Sequence, residues 1–239
     1  AQVEVHPINY GLAETFRTEM KNCLELKADI IVHTDADGQY LAKDIPKLIR
    51  EVEKGNDLVL GSRFKGKIES MPFVKRLGNM AFSRVISQIS KQKISDGQTG
   101  FRAFTKEIAR MTITSNHTYT QEQIIRASRE KFKIKEIPIY FAKRGEKTKS
   151  RLMKNPFEYA IKAWINLLRI YRDYEPLKFF GYVGSTFILL GFILGIWIVI
   201  SLFQTGSVGG IPRVILTTLF ILTGLQIILF GFLADINRK

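Results

Sequence analysis

Two long stretches without a charged residue decide most of what this chain can fold into. Residues 179–203 and 214–234 contain no Asp, Glu, Lys or Arg, and from residue 179 onward the charges are Arg213, Asp235, Arg238 and Lys239 alone. Each run exceeds the roughly 20 apolar residues that cross a bilayer core. Joined by a short Gly/Pro-containing loop, they read as a transmembrane hairpin with spans at 179–203 and 211–234, not as two buried core helices. The connection, residues 204–213, has one basic residue, whereas Arg169, Arg172, Lys178, Arg238 and Lys239 flank the outer ends. The positive-inside rule then predicts a multi-pass membrane protein with both termini and the preceding domain in the cytoplasm; a prokaryotic cell membrane is the expected location.

Everything before these spans is polar and basic, and it brings the chain of 239 residues to a formal net charge of +14. Such charge suits nucleic acid, anionic lipid or an anionic substrate. No aromatic-rich RNA motif, helix-turn-helix signature or zinc ligand set is present, so nucleic acid is not an expected partner. The single cysteine, Cys23, excludes an internal disulfide and a multi-cysteine metal site. No basic leader followed by an apolar core opens the chain, so no secretory signal is expected.

Apolar periodicity predicts a strand at 3–6, a helix at 11–26, a buried strand at 29–33, a helix at 45–53 and a strand at 56–60. A long helix at 71–89, a strand at 98–104, a helix at 121–129 and a strand at 135–141 follow. The alternation predicts an α/β domain over residues 1–154, with helices on both faces of its sheet and ligands at the carboxyl ends of its strands. A basic loop at 143–154 leads to Pro156, placed for the first turn of a helix reaching about residue 171. Phe157, Ile161, Ile165 and Leu168 alternate there with Lys162, Arg169 and Arg172. That pattern predicts an amphipathic helix on the membrane surface within 155–174.

The chemistry concentrates at strand ends. "IIVHTDADGQY", residues 30–40, closes a buried strand with Asp35 and Asp37 one residue apart. Alone, D-x-D reads first as turn chemistry. The preceding strand, the oxygen of Gln39 and a cluster of phosphate-type cations elsewhere turn it into a candidate cradle for a divalent cation, Mg²⁺ or Mn²⁺, and a diphosphate. The cluster comprises Arg63, Lys75, Arg76, Arg144, Lys147, Lys149 and Arg151. Each alone is an ordinary surface charge; together, near strand ends and beside a membrane helix, they predict a lipid-phosphate site. Asp96, in "SDGQTGFRAF", lies in a glycine-bounded turn that fits either a site or a plain loop. Gln121, Glu122 and Gln123 open a helix, where acids are favoured in any case.

The motifs "DADGQY", "DLVLGSRF", "SDGQTGFRAF", "EIPIYF" and "KSRLMKNPFEYAIKA", in this order, resemble the family 2 glycosyltransferases acting on polyprenyl phosphates, notably the dolichyl-phosphate mannose and glucose synthases. The resemblance implies a GT-A fold and inverting transfer of a sugar, mannose or glucose, from a nucleotide-diphosphate sugar to a polyprenyl or dolichyl phosphate. It implies Asp35 and Asp37 for the donor diphosphate and metal, and Gln39 as a further metal ligand. Arg63, Lys75 or Arg76, Arg144, Lys149, Ser150 and Arg151 would take the acceptor phosphate. Asp96 stands at the place of a proposed base, with Arg63 the other candidate catalytic residue; Asp96 could equally orient a basic residue. The expected partners are the two substrates and the bilayer, and a homo-oligomer is compatible with this reading.

That family opens with nucleotide-gripping strands whose motifs are missing here, so the GT-A domain is expected to be incomplete at its N-terminus. Two alternatives remain: a processive membrane polysaccharide synthase, for which Gln123 and Arg126 lack the Trp of a Q-x-x-R-W signature, and a non-catalytic membrane-anchored remnant.

Overall fold

The computed structural model describes residues 3–113, 119–143, 156–208 and 210–237, which form two compact units, residues 1–163 and 164–239. In the first, α1 (Leu12–Glu25) leads to β1 (Ile30–His33), a single 3-10 turn and α2 (Ile45–Glu53). Then come β2 (Leu58–Ile68), α3 (Phe73–Ser90), β3 (Arg102–Thr105), the one-turn α4 (Lys106–Ala109), α5 (Tyr119–Arg129) and β4 (Ile134–Phe141). The sheet order is β1-β3-β2-β4. β3 runs antiparallel to both β1 and β2, and β2 runs parallel to β4. Three strands therefore point one way and β3 the other, which brings the ends of β1 and β4 and the start of β3 to one edge.

Alternation along the strands sends successive side chains to opposite faces. Ile30, Val32, Val59, Phe101, Ala103, Ile137 and Ile139 pack with Ile45, Leu48 and Val52 of α2 on one face. The opposite parity, His33 and Phe104, meets Phe16 of α1. Helices thus cover both faces, as the pattern predicts. His33, the polar interruption in β1, is a satisfied residue of the second face: Nδ1 lies 2.8 Å from Glu19 Oε2 and Nε2 lies 3.3 Å from the Tyr119 hydroxyl.

Two expectations need correction. Residues 3–6 form no strand; they pair with no other strand among the described residues, and Val3 and Val5 are exposed. Alternation without a ladder partner leaves backbone groups to water and fixes nothing. The strand predicted to stop at residue 60 continues to Ile68, because the ladder slips between Ser62↔Pro138 and Lys67↔Tyr140. Residues 63–66 bulge there opposite Ile139, which re-aims a side chain as bulges near sites do. Gly66 makes the bulge feasible: a Cβ at this position would lie 1.8 Å from the Ile139 carbonyl oxygen. Gly66→Ala should therefore destabilise at or above the roughly 1–3 kcal/mol typical of overpacking, read as a lowered unfolding midpoint.

The second unit contains most of α6 (Pro156–Tyr174), then α7 (Pro176–Thr205) and α8 (Ile211–Ile236). α7 and α8 are long and apolar enough to cross a membrane, and only 6% and 11% of their most apolar windows are buried within the chain. A soluble core helix would be buried, so these apolar surfaces need a membrane-like environment. Glycines spaced seven apart bring the helices together. A Cβ on Gly184 would lie 2.5 Å from the Gly224 oxygen, and one on Gly224 would lie 2.6 Å from the Gly184 oxygen. Gly191 meets Ile221, and Gly231 meets Phe180 in the same way. Small residues let apolar helices approach where no hydrophobic force drives them together. Gly184→Leu should separate the pair. Cysteines replacing Phe187 and Phe220, whose rings are 5.8 Å apart, should cross-link in the parent and fail to do so in that variant.

Candidate active site

The shared sheet edge gathers the site from segments far apart in sequence. Asp35 and Asp37 follow β1; the Asp37 Oδ1 accepts the Gln39 amide at 3.1 Å, a tight turn completed by Gly38 at φ 73°. The Gln39 carboxamide is buried and donates to the Ala142 carbonyl at 3.1 Å, while the Ala142 amide donates to the Gln39 carbonyl at 2.9 Å. This fastens the aspartate turn to the end of β4. Tyr40 adds a bridge to Phe141 and stacks on Phe101, with ring centroids 5.2 Å apart. Burial raises the pKa of Tyr40 above the usual phenol value, so its hydroxyl stays protonated, and its oxygen accepts the Gly100 amide at 3.1 Å.

The loop before β3 lies against the aspartates. A Cβ on Gly100 would come within 2.5 Å of the Asp35 Oδ2, so the loop lies directly against this carboxylate and a larger residue would push the Asp35 side chain aside. Four residues earlier, Asp96 is fully buried and grips Arg63. Arg63 donates from Nε to Oδ2 at 2.7 Å, from Nη2 to Oδ1 at 2.7 Å and from its backbone amide to Oδ2 at 3.0 Å. The guanidinium also faces the Phe141 ring, 5.3 Å from its centroid. Burial is the largest influence and works against the Arg63 charge, but the Asp96 hydrogen bonds together with the electrostatic attraction of Tyr40, Asp96 and Asp35 outweigh it and raise the pKa. Both Asp96 oxygens are thus engaged by Arg63, an arrangement that positions the guanidinium.

A second carboxylate holds the loop. Glu136 of β4 accepts the amides of Ser95 and Asp96 at 2.9 and 3.0 Å and the Ser95 hydroxyl at 2.9 Å, and it pairs with Lys65 at 2.9 Å. On the other face, Arg102 is buried with no acid paired to it among the described residues. Its Nη1 donates to the Thr120 carbonyl and Gln123 Oε1, and its Nη2 to the Thr99 carbonyl. Burial lowers its pKa. Glu122, fully buried, pairs with Arg126 at 2.7 Å. Gln123 and Arg126, the partial Q-x-x-R match, are therefore bound to Arg102 and Glu122.

The sequence reading missed Glu136 and Arg102. "EIPIYF" reads as a strand with one tolerated acid, and only the parallel pairing Leu60↔Glu136 reveals that this acid faces the Asp96 loop. Arg102 follows an apolar residue in a short strand, and nothing local marks it as buried. Of the two alternatives on α3, Arg76 lines a cavity of about 370 Å³ with Phe64, Met80, Ser83, Arg84 and Ser95, while Lys75 does not. Arg144, Lys147, Lys149, Ser150 and Arg151 lie outside the described residues.

Among the described residues no three His, Cys, Asp or Glu groups converge as a metal cage. Asp35 and Asp37 alone fit a cation that takes one or two carboxylates and completes its shell with phosphate oxygens and water, as Mg²⁺ does.

Residues 1–112 match the model of the family described as Glycosyl transferase family 2. The UDP-N-acetylglucosamine–dolichyl-phosphate N-acetylglucosaminyltransferase of Methanococcus voltae is 33% identical over 141 residues, covering 56% of this chain and 56% of that protein. The dolichyl-phosphate hexose transferase of Haloferax volcanii is 31% identical over 148 residues, covering 62% and 63%. The dolichol-phosphate mannosyltransferase of Pyrococcus furiosus is 28% identical over 202 residues, covering 82% of this chain and 56% of that protein. The chain thus spans little more than half the length of these relatives.

Proposed function

We propose that the protein transfers a hexose from a nucleotide-diphosphate sugar to a polyprenyl or dolichyl phosphate at the cytoplasmic membrane face, with inversion at the anomeric carbon. One observation carries this reading: the carboxylates of the part matched to family 2 stand at the same sheet edge as a buried Arg63–Asp96 pair, in a chain that also has two membrane-length apolar helices. The names of the relatives, all sugar transferases to dolichyl phosphate, support the acceptor class.

Asp35 and Asp37 would hold a divalent cation together with the donor diphosphate, and Gln39 would serve the turn by its bond to Ala142. The cation, Mg²⁺ or Mn²⁺, supplies charge neutralisation of the departing diphosphate. Arg76, with the basic residues of 144–151, would screen and position the acceptor. An acceptor phosphate oxygen attacks the anomeric carbon as the bond from that carbon to the diphosphate oxygen breaks, and the nucleoside diphosphate leaves. A phosphate monoester has its second pKa near about 6, so at neutral pH the nucleophile is already a dianion and needs no base. This suits an Asp96 whose oxygens are both committed to Arg63.

The test is an incubation of the membrane-reconstituted protein with labelled UDP- or GDP-hexoses, a polyprenyl phosphate and Mn²⁺. A labelled lipid-phosphate sugar should form with one donor and disappear in excess chelator. No lipid-linked product from any donor would exclude the reading. The same reading places residues 204–213 outside the cytoplasm. A membrane-impermeant thiol reagent should label Ser207→Cys from outside intact cells, in a Cys23→Ser background; labelling only after lysis would reverse the topology.

A further inference from the structure

Arg102 places a charge where packing alone would favour a hydrocarbon. It is fully buried, no acid pairs with it among the described residues, and its Nε has no hydrogen-bond partner there. Interiors satisfy their polar groups, and buried charges can often give way to apolar residues without loss, so this guanidinium calls for a reason beyond stability. Its bonds supply one. Nη2 donates to the Thr99 carbonyl, and Nη1 ties the first turn of α5 through the Thr120 carbonyl at 3.1 Å and Gln123 Oε1 at 2.8 Å. The Thr99 carbonyl shares its peptide plane with the Gly100 amide, and that amide donates to the Tyr40 hydroxyl at 3.1 Å. Tyr40 packs with the α2 face of the sheet, whereas Arg102 has the opposite parity. One peptide unit is therefore held at both ends and from both faces. Gly100 then lies on Asp35: a Cβ there would come 2.5 Å from Oδ2 and 2.9 Å from both Cγ and Oδ1. The contact spans the whole carboxylate of a residue that is otherwise exposed.

We infer that Arg102 and Tyr40 are positioning residues: by fixing the Thr99–Gly100 peptide they set a wall that holds the Asp35 carboxylate in the orientation a divalent cation requires. The inference rests on the functional reading above and deepens it. A cation such as Mg²⁺ demands near-ideal geometry from few protein ligands, so a carboxylate free to rotate binds it less well than a held one. Groups that orient a metal ligand from behind typically carry about 10- to 100-fold in metal affinity.

The test titrates UDP and GDP calorimetrically into the reconstituted full chain, with Mn²⁺ or with excess chelator. Three variants are set beside the parent. Tyr40→Phe keeps the ring stacked on Phe101 and deletes only the hydroxyl. Arg102→Lys keeps a cation and loses the fork. Gly100→Ala displaces the carboxylate directly, and it should keep the parent's unfolding midpoint, because its methyl group meets only the end of an exposed side chain. For the nucleotide that the parent binds, each variant should lose at least about tenfold in affinity with Mn²⁺ and nothing in chelator, because the wall acts through the cation alone. Should Arg102→Lys fail to fold, the other two decide. A smaller loss with Mn²⁺ in either Tyr40→Phe or Gly100→Ala would overturn the inference and leave the functional reading standing. An equal loss with and without the cation would also overturn it, as the mark of a general disturbance of the fold. A parent that binds neither nucleotide under either condition would sink the functional reading itself, and this inference with it.

Discussion

Arg63→Ala is expected to lower the stability of the protein by about 3–5 kcal/mol, because it leaves the fully buried Asp96 without its cation and its two side-chain donors. For a chain of this size that is a loss on the order of 10 °C in the unfolding midpoint, measurable in detergent by scanning fluorimetry. Arg63→Lys should recover little, since an ammonium cannot reproduce the forked contact with both carboxylate oxygens. The paired change Arg63→Met with Asp96→Leu should be milder than Arg63→Ala, because no charge is then stranded. If Arg63→Ala unfolds within 1–2 °C of the parent, the buried pair does not hold this edge of the sheet.

Asp35→Ala and Asp37→Asn should act in the opposite way, removing activity and sparing the fold. Asp35 is exposed, and surface substitutions of this kind usually change stability by no more than about 0.5 kcal/mol. Losing a carboxylate that neutralises a diphosphate through a cation removes several kcal/mol of transition-state stabilisation, so transfer should fall by roughly 100- to 1,000-fold. The separation between the two variants is itself informative. Asp35 and Asp37 would act on ligands, whereas Arg63 and Asp96 act first on each other. A loss of activity at Asp35 matched by an equal loss of stability would mean that the carboxylate is structural.

What was legible in the sequence follows the range over which each signal acts. The α2 boundaries, Ile45–Glu53, match the predicted 45–53, because Pro46 fixes the first turn and a single apolar face packs on the sheet. The two apolar helices declare themselves by composition alone, and the aspartate turn by its place after a buried strand. Features made by pairing were invisible. The bulge at 63–66 arises from a register slip against Ile139, the Glu136 network from a parallel pairing 76 residues away from Leu60, and the fit of Gly100 from the antiparallel return of β3 beside β1. None of these has a local signature. The failed strand at 3–6 is the converse, a local pattern without a partner. Arg63 shows the limit for chemistry: a cation after a strand suggests a ligand contact, and only the fold reveals the carboxylate that already occupies it.

The central claim is that Asp35 and Asp37 bind a nucleoside diphosphate through a divalent cation. Calorimetric titration of UDP and of GDP into the reconstituted protein, with Mn²⁺ or with excess chelator, tests it without requiring turnover. One of the two nucleotides should bind in Mn²⁺, lose at least tenfold in affinity in chelator, and lose as much in Asp37→Asn with Mn²⁺ present, while that variant keeps the parent's unfolding midpoint. Binding that is indifferent to both the chelator and the substitution would contradict it.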